Sequence, residues 1–367
     1  MPQTPTDGRH ALTERNVTTQ YDIAVIAGDG IGQEVTPAAI RCLDRSAELA
    51  GFSISWTDYP WGSARFKTEG RMMPTDGIDI LSGHDAILLG AVGDPEIPDV
   101  ETLWGLLIPI RRSFDQYINL RPIRTLPGVE PPVPAAAGMD LVVVRENVEG
   151  EYSEVGGRIF HGQEREIALQ EAVFTRFGIR RVARFAAELA DSRKRSLVSA
   201  TKSNGIVHTM PFWDEVVHEV TADFPYLDVR NMLIDALAAR LVLSPLDFDV
   251  IVASNLFGDI LSDLTAAIAG SIGVAPSGNI NPERAHPSLF EPVHGSAPDI
   301  AGKGIANPIG MIWAGAMMLE HLGEAAAGNA IIDAFENTLA ANIATPDLQG
   351  EATTDTFTDE VVSRIRV

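Results

Sequence analysis

The chain has 367 residues, with 28 basic against 50 acidic side chains, a formal net charge of −22, 45% hydrophobic content and 21% charged content. This is the composition of a soluble globular protein longer than one core usually supports, so two lobes are expected. The acidity argues against a nucleic-acid partner, whose phosphates need a cationic face. No apolar run approaches the roughly 18 residues of a membrane span. The single cysteine, Cys42, excludes an internal disulfide and a cysteine-based zinc site.

Residues 1–20, "MPQTPTDGRHALTERNVTTQ", are polar and read as a flexible extension. They lack a secretory core, and the expected compartment is reducing, most simply the cytoplasm. Order is predicted to begin at "YDIAVIAGDGIG", a strand over Ile23–Ala27 entering a glycine turn, then a helix from Ile31 to about Ala50. Further strand-like runs are "DAILLG" (85–90), "DLVVVR" (140–145), "SLVSAT" (196–201), "DVRNMLID" (228–235) and "DVIVAS" (249–254). Helical patterns lie at 180–193, 210–220 and 254–270, and helices dominate from Pro308 onward. Strands alternating with helices predict an α/β architecture rich in parallel sheet. Residues 124–138, rich in Pro and Gly, read as a connecting loop. The short β-like pieces within 149–176 read as an excursion from the main sheet.

Three features carry chemistry. "GDGIG" after a strand invites a dinucleotide-binding reading, but Gln33 stands where the fingerprint G-x-G-x-x-G requires its third glycine. A plain strand-to-helix turn explains it equally well. Arg111, Arg112, Arg121 and Arg145 gather in an acidic protein. The guanidinium fork matches carboxylates bidentately, which points to a di- or tricarboxylate pocket, with a surface ion-pair network as the alternative. In "NLFGDILSDL", Asp259 and Asp263 stand four apart on one helix face, where like charges repel. A solvated face explains the pair, or a divalent cation relieves it.

From Tyr21 to the end the chain resembles the β-decarboxylating dehydrogenases of the isocitrate/3-isopropylmalate dehydrogenase family. The resemblance rests on "GDGIG", "IRRSFDQYINLRP", "VVVRENVEGEYS", "TKSNG", "IDALAARL", "NLFGDILSDL" and "LFEPVHGSAPDIAGKGIANP", in the family's order. Within the family, "LWGLL…FDQY", "TKSNG", "NPERAHPSLFEPVHGSAPDI" and "MLEHLG" are most similar to the tartrate/D-malate dehydrogenases. The resemblance implies a two-lobed, non-Rossmann α/β fold with a large mixed sheet flanked by helices. The large lobe is expected at 21–116 and 270–367, and a smaller dimerising lobe at 117–269.

By the same resemblance Arg111, Arg121 and Arg145 bind substrate carboxylates, and Tyr152 is the acid that protonates the enolate. Lys202, the proton acceptor, and Asp235 come from the second subunit of a homodimer. Asp259, Asp263 and the partner's Asp235 hold Mg²⁺ or Mn²⁺. Asn204, His294, Gly295, Ser296, Ala297, Asp299 and Asn307 match cofactor-binding positions, which makes "GDGIG" a turn lining the cleft. A carboxylate at Asp299 accepts ribose hydroxyls and repels a 2′-phosphate, so NAD is expected. Trp104 stands where isopropylmalate dehydrogenases carry a glutamate, and its indole fills the space of a branched substituent. Leu107 and Ile108 remain apolar, which keeps 3-isopropylmalate as the alternative to D-malate and tartrate. Isocitrate fits less well, because its extra carboxylate wants a Ser or Thr donor where residues 106–110, just before Arg111, are only Leu, Ile and Pro. A non-catalytic ligand-binding relative would be expected to lose part of the Arg, Tyr, Lys and Asp set, all of which is present here.

Overall fold

The computed structural model describes residues 19–367; the expectation for the N-terminal extension falls mostly outside them. Twelve strands are formed: β1 (Gln20–Gly28), β2 (Ser53–Asp58), β3 (Ala86–Ala91), β4 (Ile118–Arg124), β5 (Asp140–Glu146), β6 (Gly156–Ile159), β7 (Ile167–Gln170), β8 (Ser196–Thr201), β9 (Asp228–Leu233), β10 (Val250–Ala253), β11 (Pro276–Ile280) and β12 (Ser288–Pro292). Ten of them make one mixed sheet in the order β2-β1-β3-β12-β11-β4-β5-β10-β8-β9. The outer strands on each side pair in parallel, while β12-β11, β11-β4 and β4-β5 are antiparallel.

This order explains how the site is assembled. The strands of residues 20–91 and 276–292 fill one half of the sheet, and those of 118–253 fill the other. They meet at β11 and β4, where Gly278 faces Leu120. Central strands such as β3 ("AILLGA") and β10 ("VIVA") are buried throughout, as expected where helices cover both faces. The helix Ile309–Leu322 is apolar nearly all round and buried from Ile309 to Leu319, so it serves as a core helix against the sheet.

The sequence reading differs from the structure in particular places. β2, β4, β11 and β12 were not among the strand-like runs. The run "DVRNMLID" is strand only to Leu233, and Asp235 opens the helix Ile234–Leu243. A β-branched, apolar run cannot by itself tell a strand from the first turn of a buried helix. The excursion at 149–176 is a separate antiparallel hairpin of β6 and β7, every residue of which is exposed. No helix among the described residues is long and apolar enough to cross a membrane.

Candidate active site

A cavity of about 290 Å³ opens at the junction of the two sheet halves. Of the residues singled out from sequence, Trp104, Leu107, Arg111, Arg121, Arg145, Tyr152, Asp259, His294 and Gly295 line it. They arrive from both halves. Arg111 ends the helix Ile108–Ser113, Arg121 lies on β4, Arg145 lies on β5, and Asp259 lies on the helix Asn255–Ala269.

The arginines and carboxylates form one network. Arg121, only 6% exposed, places Nη1 3.2 Å from Asp259 and 3.3 Å from Asp263, and donates to Ser262 Oγ at 2.6 Å. Arg145, 3% exposed, pairs with Asp259 and donates through Nη2 to Asn255 Oδ1 at 2.7 Å. Gly258 permits this approach, because a Cβ there would sit 2.6 Å from the Arg145 side chain. Arg111 Nη2 reaches Glu291 at 2.9 Å, while its Nε is buried without a partner. An unmet buried donor in an arginine-lined cavity suits a carboxylate ligand.

Electrostatics follow from burial and neighbours. Burial acts to raise the Asp259 pKa, but Arg145, Arg121 and Arg111 outweigh it and hold the carboxylate below its usual value. Asp263 is pushed upward by burial and by the Asp259 charge, against the weaker pull of Arg121 and Arg145. Tyr152 Oη donates to Asp259 Oδ2 at 3.2 Å, and burial followed by the Asp259 charge raises its pKa. The cation beside Tyr152 is Arg145, whose guanidinium carbon lies 5.7 Å from the ring centre.

Lys202 and Asp235 do not line the cavity. They pair with each other at 2.6 Å, and the Asp235 carboxylate is held low by that bond. Asn204 is exposed and also lies outside. Among the described residues no three His, Cys, Asp or Glu side chains of one chain converge as a metal site. Asp259 and Asp263 offer an all-oxygen pair, the donor chemistry a hard divalent cation takes while keeping several waters. Two carboxylates of one chain therefore fit such an ion when a further ligand comes from elsewhere.

The glycine turn is joined to the loop after β12, whose His294 and Gly295 line the cavity. Asp29 of "GDGIG" accepts Ser63 N–H at 2.8 Å and Gly93 N–H at 2.9 Å, so it ties three loops. Ile31 N–H donates to the Ser296 carbonyl at 2.9 Å. Gly30, at φ +52°, packs so tightly that a Cβ would stand 2.0 Å from that carbonyl oxygen. His294 Nε2 is buried without a partner, and Asp299 is exposed on the same loop. Asn307 is committed internally, accepting Ile309 N–H at 3.0 Å and donating to Asp347 at 3.0 Å.

Sequence reasoning did not single out Glu291, Asn255, Ser262 or Asn119, which orient the three arginines. Asn119 Oδ1 accepts from Arg121 Nε at 2.7 Å, two residues along the same strand. Their residue types are ordinary for strands and helices, and no spacing marks them.

The isocitrate/isopropylmalate dehydrogenase family model matches residues 22–361. A probable tartrate dehydrogenase/decarboxylase of Bacillus subtilis is 53% identical over 349 residues, covering 95% of this chain and 98% of that protein. The D-malate dehydrogenase (decarboxylating) of Escherichia coli is 53% identical over 351 residues, covering 92% and 97%. The crystal structure of isocitrate dehydrogenase from Methylococcus capsulatus superposes with a TM-score of 0.86 at 33% identity, covering 95% of this chain and all of that one. With its mixed sheet, its arginine-lined cavity and these relatives, the chain belongs to the isocitrate/isopropylmalate dehydrogenase family.

Proposed function

We propose that this protein catalyses the NAD-dependent oxidative decarboxylation of a 2-hydroxy dicarboxylic acid, D-malate to pyruvate and CO2, with tartrate as a second substrate and Mg²⁺ or Mn²⁺ as cofactor. The names of the relatives at 53% identity support the reaction class. The observation that carries the choice of acid is Trp104. Its indole lines the arginine-rich cavity beneath Arg112, whose guanidinium carbon is 4.8 Å from the ring centre, and on this reading it takes the room of a branched substituent.

Arg111, Arg121 and Arg145 bind the two carboxylates and turn C2 toward the loop 294–299. The loop, with His294 to Ala297 and Asp299, holds the nucleotide, with Asn204 and Asn307 beside it. NAD held on that loop would supply the hydride acceptor for C2, and a divalent ion held by Asp259 and Asp263 would supply the positive charge that favours decarboxylation. Lys202 of a second subunit accepts the hydroxyl proton. Tyr152, kept protonated by burial and by Asp259, delivers a proton to C3. Asp259 and Asp263, with Asp235 of the second subunit, hold the metal.

A homodimer is part of this reading. Lys202 and Asp235 stand outside their own chain's cavity, and the β6-β7 hairpin exposes Ile159, Ile167 and Leu169. So is the division into a lobe of 21–116 and 270–367 and a lobe of 117–269. A cytoplasmic setting agrees with the single, buried, free Cys42.

The second reading is 3-isopropylmalate oxidation, favoured by Leu107 and Ile108 in the cavity wall. Steady-state kcat/KM for D-malate, L-tartrate and 3-isopropylmalate, with NAD and Mn²⁺, separates the two. Preference for 3-isopropylmalate would overturn the choice of acid. No NADH from any of the three would favour a non-catalytic ligand-binding protein.

A further inference from the structure

We propose that Arg112 is a specificity-positioning residue, which holds Trp104 over the cavity and ties it to the segment that carries Tyr152. The inference rests on the functional reading above and names the device that sets its selectivity.

Trp104 stands in an unusual backbone. Residues Leu103–Leu107 make one π-helical turn, in which Ile108 N–H bonds the Leu103 carbonyl five residues back. Such turns widen a helix and re-aim its side chains, and they occur often at functional sites. The half-buried indole is therefore not locked by regular helix packing and needs an external hold. Arg112 supplies it. Its guanidinium lies over the indole at 4.8 Å, an attractive contact between cation and ring face.

The same guanidinium reaches across the cavity mouth to the other sheet half. Nη2 donates to the Tyr152 carbonyl at 2.7 Å, and Nη1 pairs with Glu154 at 3.0 Å. Glu154 is exposed, so that pair is weak. The charge-assisted bond to the Tyr152 main chain is the firm link. A substrate substituent that displaces Trp104 thereby disturbs Arg112 and, through it, the backbone that places the Tyr152 hydroxyl. Discrimination against a bulky C3 substituent then acts on turnover as well as on binding.

The test compares kcat/KM for D-malate and 3-isopropylmalate in Arg112→Met, Arg112→Lys, Trp104→Ala and the two double variants, with thermal melting to confirm folding. Arg112→Met should narrow the wild-type preference about fivefold and lower kcat for the preferred acid. Lysine keeps a donor for the Tyr152 carbonyl but cannot lie flat on the indole, so Arg112→Lys should recover more of kcat than of the preference. In the Trp104→Ala background the Arg112 substitutions should change the preference no further. A preference within twofold of wild type in Arg112→Met overturns the proposal, as does an equal shift with and without Trp104. If turnover of either acid is too slow to measure, the ratio of their dissociation constants by calorimetry replaces the kinetic preference, with the same outcomes for and against. If the wild type favours 3-isopropylmalate, the functional reading fails, while the coupling of 104 to 112 is still read.

Discussion

Arg121 Nη1 stands 3.2 Å from Asp259, and the same nitrogen reaches Asp263 at 3.3 Å. The two carboxylates that repel along one helix face are thus joined by a buried guanidinium from β4. Repulsion within the pair is met by the protein itself, before any cation is considered.

Asp259→Asn should reduce both stability and turnover. The substitution leaves Arg121 and Arg145 buried with one anionic partner fewer, a loss on the order of 2–3 kcal/mol. The melting temperature should fall, and the rise with Mn²⁺ expected of the wild type should be lost. Metal-dependent activity surviving in Asp259→Asn would show that the pair serves the arginines alone.

Glu146 predicts a pH dependence of stability. It is 1% exposed, accepts N–H bonds from Val148 at 3.1 Å and Glu149 at 2.9 Å, and burial pushes its pKa up to about 7. An unfolded glutamate titrates near 4.3. Between those values the folded chain binds more protons than the unfolded chain, so stability falls as pH rises through the window. This contribution is at most on the order of 3 kcal/mol. Urea midpoints at pH 5 and pH 8 should differ less in Glu146→Gln than in the wild type.

Trp104→Ala should raise kcat/KM for 3-isopropylmalate relative to D-malate by about tenfold, because an apolar substituent gains the vacated space. Stability should change little, since the indole is only half-buried. A ratio that does not move would remove the indole from substrate choice.

The proposed NAD preference assigns cofactor choice to Asp299, which is exposed. Asp299→Lys should raise KM for NAD with a smaller effect on kcat, and narrow the gap to NADP, because the carboxylate that accepts ribose hydroxyls is replaced by a cation. Equal use of NAD and NADP by the wild type would defeat the assignment.

Subunit sharing has its own test. Lys202→Ala and Asp259→Asn homodimers should each be nearly inactive. Mixed and reassembled, they should regain about a quarter of wild-type activity, because half the dimers are hybrids and each hybrid has one intact site. No recovery on mixing would place Lys202 outside the partner's site.

Part of the cavity lining was legible because chemistry restricts residue type. Arg111, Arg121, Arg145 and Asp259, singled out by residue type and spacing, line the cavity, as does Tyr152, singled out by the family resemblance. The buried strands β1, β3, β5, β8 and β10 were legible too, because unbroken apolar runs have few alternatives. What escaped was the strand pairing at the centre. β11 ("PSGNI") and β12 ("SLFEP") carry Pro, Gly, Ser and Asn, so their composition reads as loop. They are strands because Gly278 meets Leu120 and Phe290 across the sheet, which is a property of partners far away in the chain.

By itself, then, the sequence determined the family, the α/β class and most of the buried parallel strands, since those depend on residue type, motif order and local period. Only the tertiary structure decided that Arg121 bridges both aspartates, that Glu291 faces Arg111, that Arg112 lies on Trp104, and that Lys202 stands outside its own cavity. The contacts of Arg121 and Arg111 join residues from separate elements, brought together by the order of strands in one sheet. No local pattern encodes them.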